Sequence, residues 1–152
     1  MFRGAEEPSH PPDNQKVTPA SVRATAVAMG NLFLVMAGGA IGSGARHLFG
    51  RWALAAFGPD YPWGTLGVNL IGGLAMGLLV GSLARSGGSE PARLLLGVGV
   101  LGGFTTFSAF SLDAALMVER GALALAAGYV LASVVGAIAA LFGGLAIARG
   151  VA

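Results

Sequence analysis

The sequence predicts an all-α integral membrane protein built on four transmembrane helices. Composition is the first observation: 55% of the 152 residues are hydrophobic and only 11% are charged, too few charges to solvate a soluble domain of this length. Segmentation is the second: after a polar start the apolar residues fall into four runs, each longer than the ~20 residues that cross roughly 30 Å of hydrocarbon. The third is punctuation, since the runs are separated by GPDYPW, RSGGSEP and VERG, stretches of turn-forming and charged residues.

Residues 1–28 contain EEPSHPPDNQK, polar and proline-rich, and are expected to be a disordered tail; residues 29–150 form the transmembrane domain. A secretory leader does not fit, because the charged stretch contains acids and has no cleavage motif. The first helix is expected over Asn31–Phe57, the second over Trp63–Ala84, the third over Arg93–Val118 and the fourth over Ala122–Ala148. GPDYPW and VERG are short, so each joins antiparallel neighbours, and four crossings return both termini to one side. Near the membrane on that side stand Arg23, Arg85, Arg93 and Arg149; on the other stand Arg46, Arg51 and Arg120. Such a balance leaves two readings open: a weak orientation signal overridden by other factors, or a chain inserted both ways, which permits an antiparallel homodimer.

Gly38 and Gly42, then Gly73, Gly77 and Gly81, then Gly136, Ala140 and Gly144 recur every fourth residue, the spacing that lets helix backbones approach closely. This predicts packing and no particular chemistry. The absence of cysteine excludes disulfides, thiolate metal sites and cysteine nucleophiles, and a net charge of +2 without basic runs gives no nucleic-acid surface.

Polar groups at membrane depth must be paired or face a cavity. Those here are Ser43 and Arg46, Thr65 and Asn69, Thr105, Thr106, Ser108, Ser111 and Asp113, then Tyr129 and Ser133. Thr65 and Asn69 share a helix face, as do Tyr129 and Ser133. Taken singly, a serine or threonine here is expected to bond helix backbone; together they form a track of hydroxyl and amide donors. Asn69, inside GVNLIGG, is either glue between helices or a donor to a passing solute. Asp113, the acid well inside a predicted span, is expected near the end of the third helix and close to water, as helix-end chemistry in preference to a proton relay.

The stretch GGFTTFSAFSLDA, Gly102 to Ala114, is the least plain. Gly102 and Gly103 weaken the helix, and Thr105 and Thr106 compete for its backbone bonds. A break there frees carbonyl oxygens, tolerated only inside protein or beside a cavity and suited to a small hard cation such as sodium. Phe107 and Phe110 then share one face, where positive ring edges can receive an anion; ordinary aromatic packing is the simpler use of such a pair.

GGFTTFSAF, with GGAIGSGARH in the first helix and WGTLGVNLIGG in the second, resembles the signature set of Fluc-type (CrcB) fluoride channels in order and spacing, over about Leu32 to Arg149. The resemblance implies an antiparallel dual-topology homodimer in the inner cell membrane, with two fluoride pores each built from both subunits. It implies passive export of fluoride from the cytoplasm, lowering its toxicity. By resemblance the pores are lined by Asn69, Phe107, Phe110, Thr65, Ser108, Tyr129 and Ser133, with Arg46 near a pore mouth. Carbonyls of Gly102 and Thr105 would hold a structural sodium ion (Na+) on the two-fold axis. The chain departs from the pattern at Ala109, where threonine is usual, at Ala137, which lacks a hydroxyl, and in its long tail.

The main alternative is a small proton-coupled four-helix multidrug transporter, which needs a membrane-embedded glutamate in helix 1, where this sequence has no acid. A cation channel wants carbonyl filters or acidic rings, and only Asp113 is available. A scaffold explains the glycines and leaves the donor track without purpose. An enzyme is not expected, because the spans hold no nucleophile–base pair.

Overall fold

The computed structural model describes residues 19–150. They form four helices long and apolar enough to cross a membrane. Helix α1 runs Pro19–Phe57 and α2 runs Trp63–Ser86. The third span comprises α3 (Glu90–Ala92), a π-helical stretch (Arg93–Leu101), α4 (Gly102–Phe104) and α5 (Phe107–Glu119); α6 is Leu123–Gly150.

Helix α1 starts earlier than its apolar run suggests. Proline is well placed at a helix start, where its missing N–H costs nothing, and the alanine-rich segment after it propagates the helix. Residues 19–28 of the expected tail are therefore helical, and residues 1–18 lie outside the described residues. Reversals follow glycines: Gly87 adopts φ 65° after α2, a left-handed conformation glycine takes without a Cβ penalty, and Gly88 N–H donates to the Leu83 carbonyl at 2.8 Å.

Two helix pairs hold the bundle, α1 along the π stretch and α2 along α6. Both use the predicted glycine rows. A methyl group on Gly38 would lie 2.9 Å from Gly99 Cα, and one on Gly73 would lie 2.6 Å from the Ala137 carbonyl oxygen. Methyls on Gly42 and Gly77 would strike the carbonyls of Val100 and Leu141. Backbone-to-backbone approach, with the dispersion it gains, replaces the hydrophobic effect as the force holding helices together in lipid. A small core of Leu66, Phe110, Met117, Ala126 and Tyr129 ties α5 to α2 and α6. Outside it, large apolar side chains such as Phe33, Leu48 and Phe107 stand exposed.

Candidate functional site

The site grows from the two residues between α4 and α5. Thr105 (φ −80°, ψ 159°) and Thr106 (φ −151°, ψ 118°) are extended, while Gly102 keeps helical angles (−63°, −36°). Gly103 serves close approach instead: a methyl there would lie 2.6 Å from the Gly39 carbonyl oxygen. Asn69 on α2 holds the extended strand from both sides. Thr106 N–H donates to Asn69 Oδ1 at 2.9 Å, and Asn69 Nδ2 donates to the Thr106 carbonyl at 3.1 Å. Of the two uses open to Asn69, the structure shows glue between segments, and one amide hydrogen is left over.

Thr106 caps α5. Its Oγ1 accepts from Ala109 N–H at 3.2 Å and lies 3.3 Å from Ser108 Oγ. An uninterrupted α-helix would send Thr106 N–H to the Gly102 carbonyl and Ala109 N–H to the Thr105 carbonyl. Both amides go elsewhere here. Arg46 Nη1 approaches the Thr105 carbonyl at 3.5 Å, the outer limit of a hydrogen bond. Thr105 Oγ1 turns back to the Leu101 carbonyl at 3.0 Å.

Two cavities flank this strand, and Thr106 lines both. The first, about 410 Å³, is bounded by Asn69, Thr105, Phe107, Phe110 and Ser133. The second, about 520 Å³, opens at the end carrying the α1–α2 turn and is bounded by Arg46, Asp60, Thr65, Asp113 and Arg120. The sequence-predicted residues are thus divided. Asn69, Phe107, Phe110 and Ser133 meet in one cavity; Thr65 and Arg46 belong to the other.

Phe107 is 75% exposed, whereas Phe110 is buried, and their ring centroids are 5.3 Å apart at 48°. Ser133 is buried, and its Oγ has no hydrogen-bond partner. An unpartnered buried hydroxyl is expensive and invites a ligand or water. Tyr129 is fully buried between Phe110 (5.4 Å) and Tyr61 (5.6 Å) and lines neither cavity. Its hydroxyl donates to Asp113 Oδ2 at 3.2 Å. Ser108 is exposed and also lines neither cavity. Asp113 lies in the last two turns of α5, which ends at Glu119, one residue beyond the expected end of the third helix. Its acid sits within the helix beside the second cavity, with a tyrosine partner. Thr106, as cap and shared wall, was visible in the sequence only as one polar residue among several. Among the described residues no cluster of His, Asp or Glu could hold a metal ion.

Residues 33–145 match the family model described as CrcB-like protein, Camphor Resistance (CrcB). The fluoride-specific ion channel FluC of Mesorhizobium japonicum is 59% identical over 121 residues, covering 80% of this chain and 98% of the relative. The channel of the same name from Sphingopyxis alaskensis is 59% identical over 122 residues, covering 80% and 97%. That of Agrobacterium fabrum is 57% identical over 120 residues, covering 78% and 96%. With the family model and these relatives agreeing over the whole four-helix bundle, this chain belongs to the CrcB-like family.

Proposed function

We propose that the protein is a fluoride-specific, passive ion channel of the inner cell membrane, working as an antiparallel homodimer and exporting fluoride from the cytoplasm. The observation that carries this reading is the cavity beside Thr106, where Asn69, Phe107, Phe110 and the unpartnered Ser133 hydroxyl converge without a cationic side chain. Fluoride is small and strongly hydrated, so a pore must replace its water with several donors and still release it. Ser133 offers an unused O–H, Asn69 offers the amide hydrogen left over from its clamp, and the tilted phenyl rings offer positive edges. None of these binds as firmly as an ammonium would, which lets the ion leave.

The remaining groups support the path. Arg46 raises the local fluoride concentration in the second cavity, which serves as the vestibule. Thr65 continues the donor track there. Tyr129 donates its hydroxyl hydrogen bond to Asp113 and acts as the wall that fixes Phe110. Ser108 and Phe107, exposed in one chain, complete a pore when a second copy covers them, and lipid covers the outer apolar faces.

The Thr105–Thr106 interruption lies at mid-membrane in this reading. The Gly102 and Thr105 carbonyls, whose helical donors are diverted to Asn69 and Thr106, fit a sodium site shared by two copies. Bound sodium supplies fixed positive potential beside the pores.

The test is efflux from liposomes loaded with potassium fluoride: valinomycin is added and external fluoride is followed with an electrode, with chloride-loaded vesicles in parallel. Fast fluoride release with little chloride leak is expected. Equal release of both ions, or none from dimeric protein, overturns the proposal.

A further inference from the structure

We infer that passage through each pore is limited by a stretch without hydrogen-bond donors on its α2–α3 side, where Ala137 and Met76 hold the rate down. This deepens the fluoride reading above and rests on it. Polar side chains are divided unevenly between the two halves of the bundle. Neighbours fix the level of the Thr105–Thr106 break: a methyl on Gly42 would meet the Val100 carbonyl and the Phe104 amide, and one on Gly72 would meet the Thr105 side chain. From that level toward the α1–α2 turn every span carries polar groups, among them Arg46, Asn69, Asp113 and Ser133. Toward the other end, residues 32–42 of α1, 70–81 of α2, 94–104 of the third span and 134–148 of α6 contain no polar side chain. The next polar groups on α2 and α6 are Ser82 and Arg149. They stand roughly 20 Å beyond Asn69 and roughly 24 Å beyond Ser133, at about 1.5 Å per residue.

The cavity beside Thr106 crosses this boundary. Part of its wall is Asn69, Phe107, Phe110 and Ser133; beyond Ser133 the wall is Met76, Ala137, Ile138 and Leu141. Ala137 and Leu141 follow Ser133 at successive fourth positions, so the stripe of α6 that carries the unpartnered hydroxyl continues bare for roughly 12 Å. Backbone does not replace the missing side chains. Helices α2 and α6 run unbroken through this level, so their amides are spent within the helices. What α6 turns toward α2 are the Ala137 carbonyl at Gly73 and the Leu141 carbonyl at Gly77, acceptors that offer an anion nothing. On a second copy, Ser111 of the exposed α5 face is already committed, its Oγ donating to the Phe107 carbonyl at 2.9 Å. An ion leaving the Ser133 hydroxyl must therefore regain its water inside an apolar passage, and constrictions of that kind restrict conduction by dewetting. One donor placed there changes the balance, because a hydrogen bond to a charged group is worth about tenfold or more in rate.

The test adds donors to the full-length protein in the liposome assay. Ala137→Ser sets a hydroxyl one turn beyond Ser133, and Met76→Gln sets an amide on α2. Each should raise fluoride efflux by about tenfold. Their apolar counterparts, Ala137→Val and Met76→Leu, should give no gain. Chloride leak should stay at the level of the unaltered protein in all four, since a merely loosened bundle would pass both ions. Fluoride efflux no faster in either donor variant than in a conducting unaltered protein, with the dimer retained, overturns the barrier and leaves the fluoride reading standing. Equal gains in the apolar variants, or a rise in chloride matching that in fluoride, also overturn it, because space and not hydrogen bonding then sets the rate. No release from the unaltered protein and from both donor variants overturns the fluoride reading as well. Release that appears only when a donor is added supports the barrier.

Discussion

Asn69 carries more backbone than any other side chain in the site. Both faces of its amide are committed to Thr106, and both Thr106 groups would be stranded in the bundle without it. Asn69→Leu is therefore expected to cost about 2–6 kcal/mol, the sum of two unsatisfied buried groups, and to lower the thermal midpoint in detergent while reducing fluoride flux. Retained stability with lost flux would make Asn69 an ion ligand only. The two phenylalanines should separate in another way. Phe107→Ile removes a ring that one chain leaves exposed, so efflux should fall while chain stability changes little. Phe110→Ile acts within the core against Tyr129, so efflux and melting temperature should fall together. Unchanged efflux in both variants would dismiss the assigned pore. At this scale the sequence was legible in kind and not in pairing. It marked Asn69 as a buried amide needing partners, but its partner stands 37 positions away, a distance no local pattern encodes. It placed Tyr129 in the hydroxyl track, and only the fold reveals that its O–H donates to Asp113.

Helices were legible because lipid imposes length and apolarity together, and the glycine rows fell where helix pairs meet. What the sequence hid is the winding of the third span. RLLLGVGVL reads as an ordinary apolar helix, yet Gly102 N–H reaches the Gly97 carbonyl, an i−5 bond. Composition does not distinguish the two windings; the π-wound stretch is the one packed backbone to backbone on α1 at Gly38 and Gly42. The start of α1 was missed because its alanine-rich first turns lack the strong apolar signal of the span. Glycine substitutions test the packing. Gly77→Ala drives a methyl into the Leu141 carbonyl and should lower stability by about 1–3 kcal/mol, read as a drop in thermal midpoint. Gly30→Ala meets open space within 4 Å and should instead raise helix stability by up to about 1 kcal/mol, read as slower amide exchange over residues 19–30. Equal effects at the two positions would mean that α2 and α6 are not in backbone contact.

On the scale of the whole molecule, a single chain leaves its chemistry half enclosed. Phe107 stands open, Ser108 faces outward, and the Gly102 and Thr105 carbonyls have lost their helical donors. Lipid cannot satisfy carbonyls that have lost their helical donors, and within the chain the Thr105 carbonyl receives only the long Arg46 contact. Two copies related by a two-fold axis can satisfy them, if each contributes the same pair to one cation. Under the proposed sodium reading the ion binds only the assembled state, and stability depends on its concentration. Linkage sets the sign and the size: at a hundred times its dissociation constant a ligand specific to the folded dimer adds about 2.7 kcal/mol, and dilution removes it. Replacing sodium by N-methylglucamine at constant ionic strength should therefore lower the dimer's thermal midpoint, and restoring sodium should recover it along a saturable curve. Potassium, too large for a site closed by four carbonyls, should recover less. Ionic strength is held constant, so screening of the arginines cannot mimic the effect. A midpoint indifferent to the cation would remove sodium from the assembly and leave the Arg46 guanidinium, 3.5 Å from the Thr105 oxygen, as the charge those carbonyls were turned to meet.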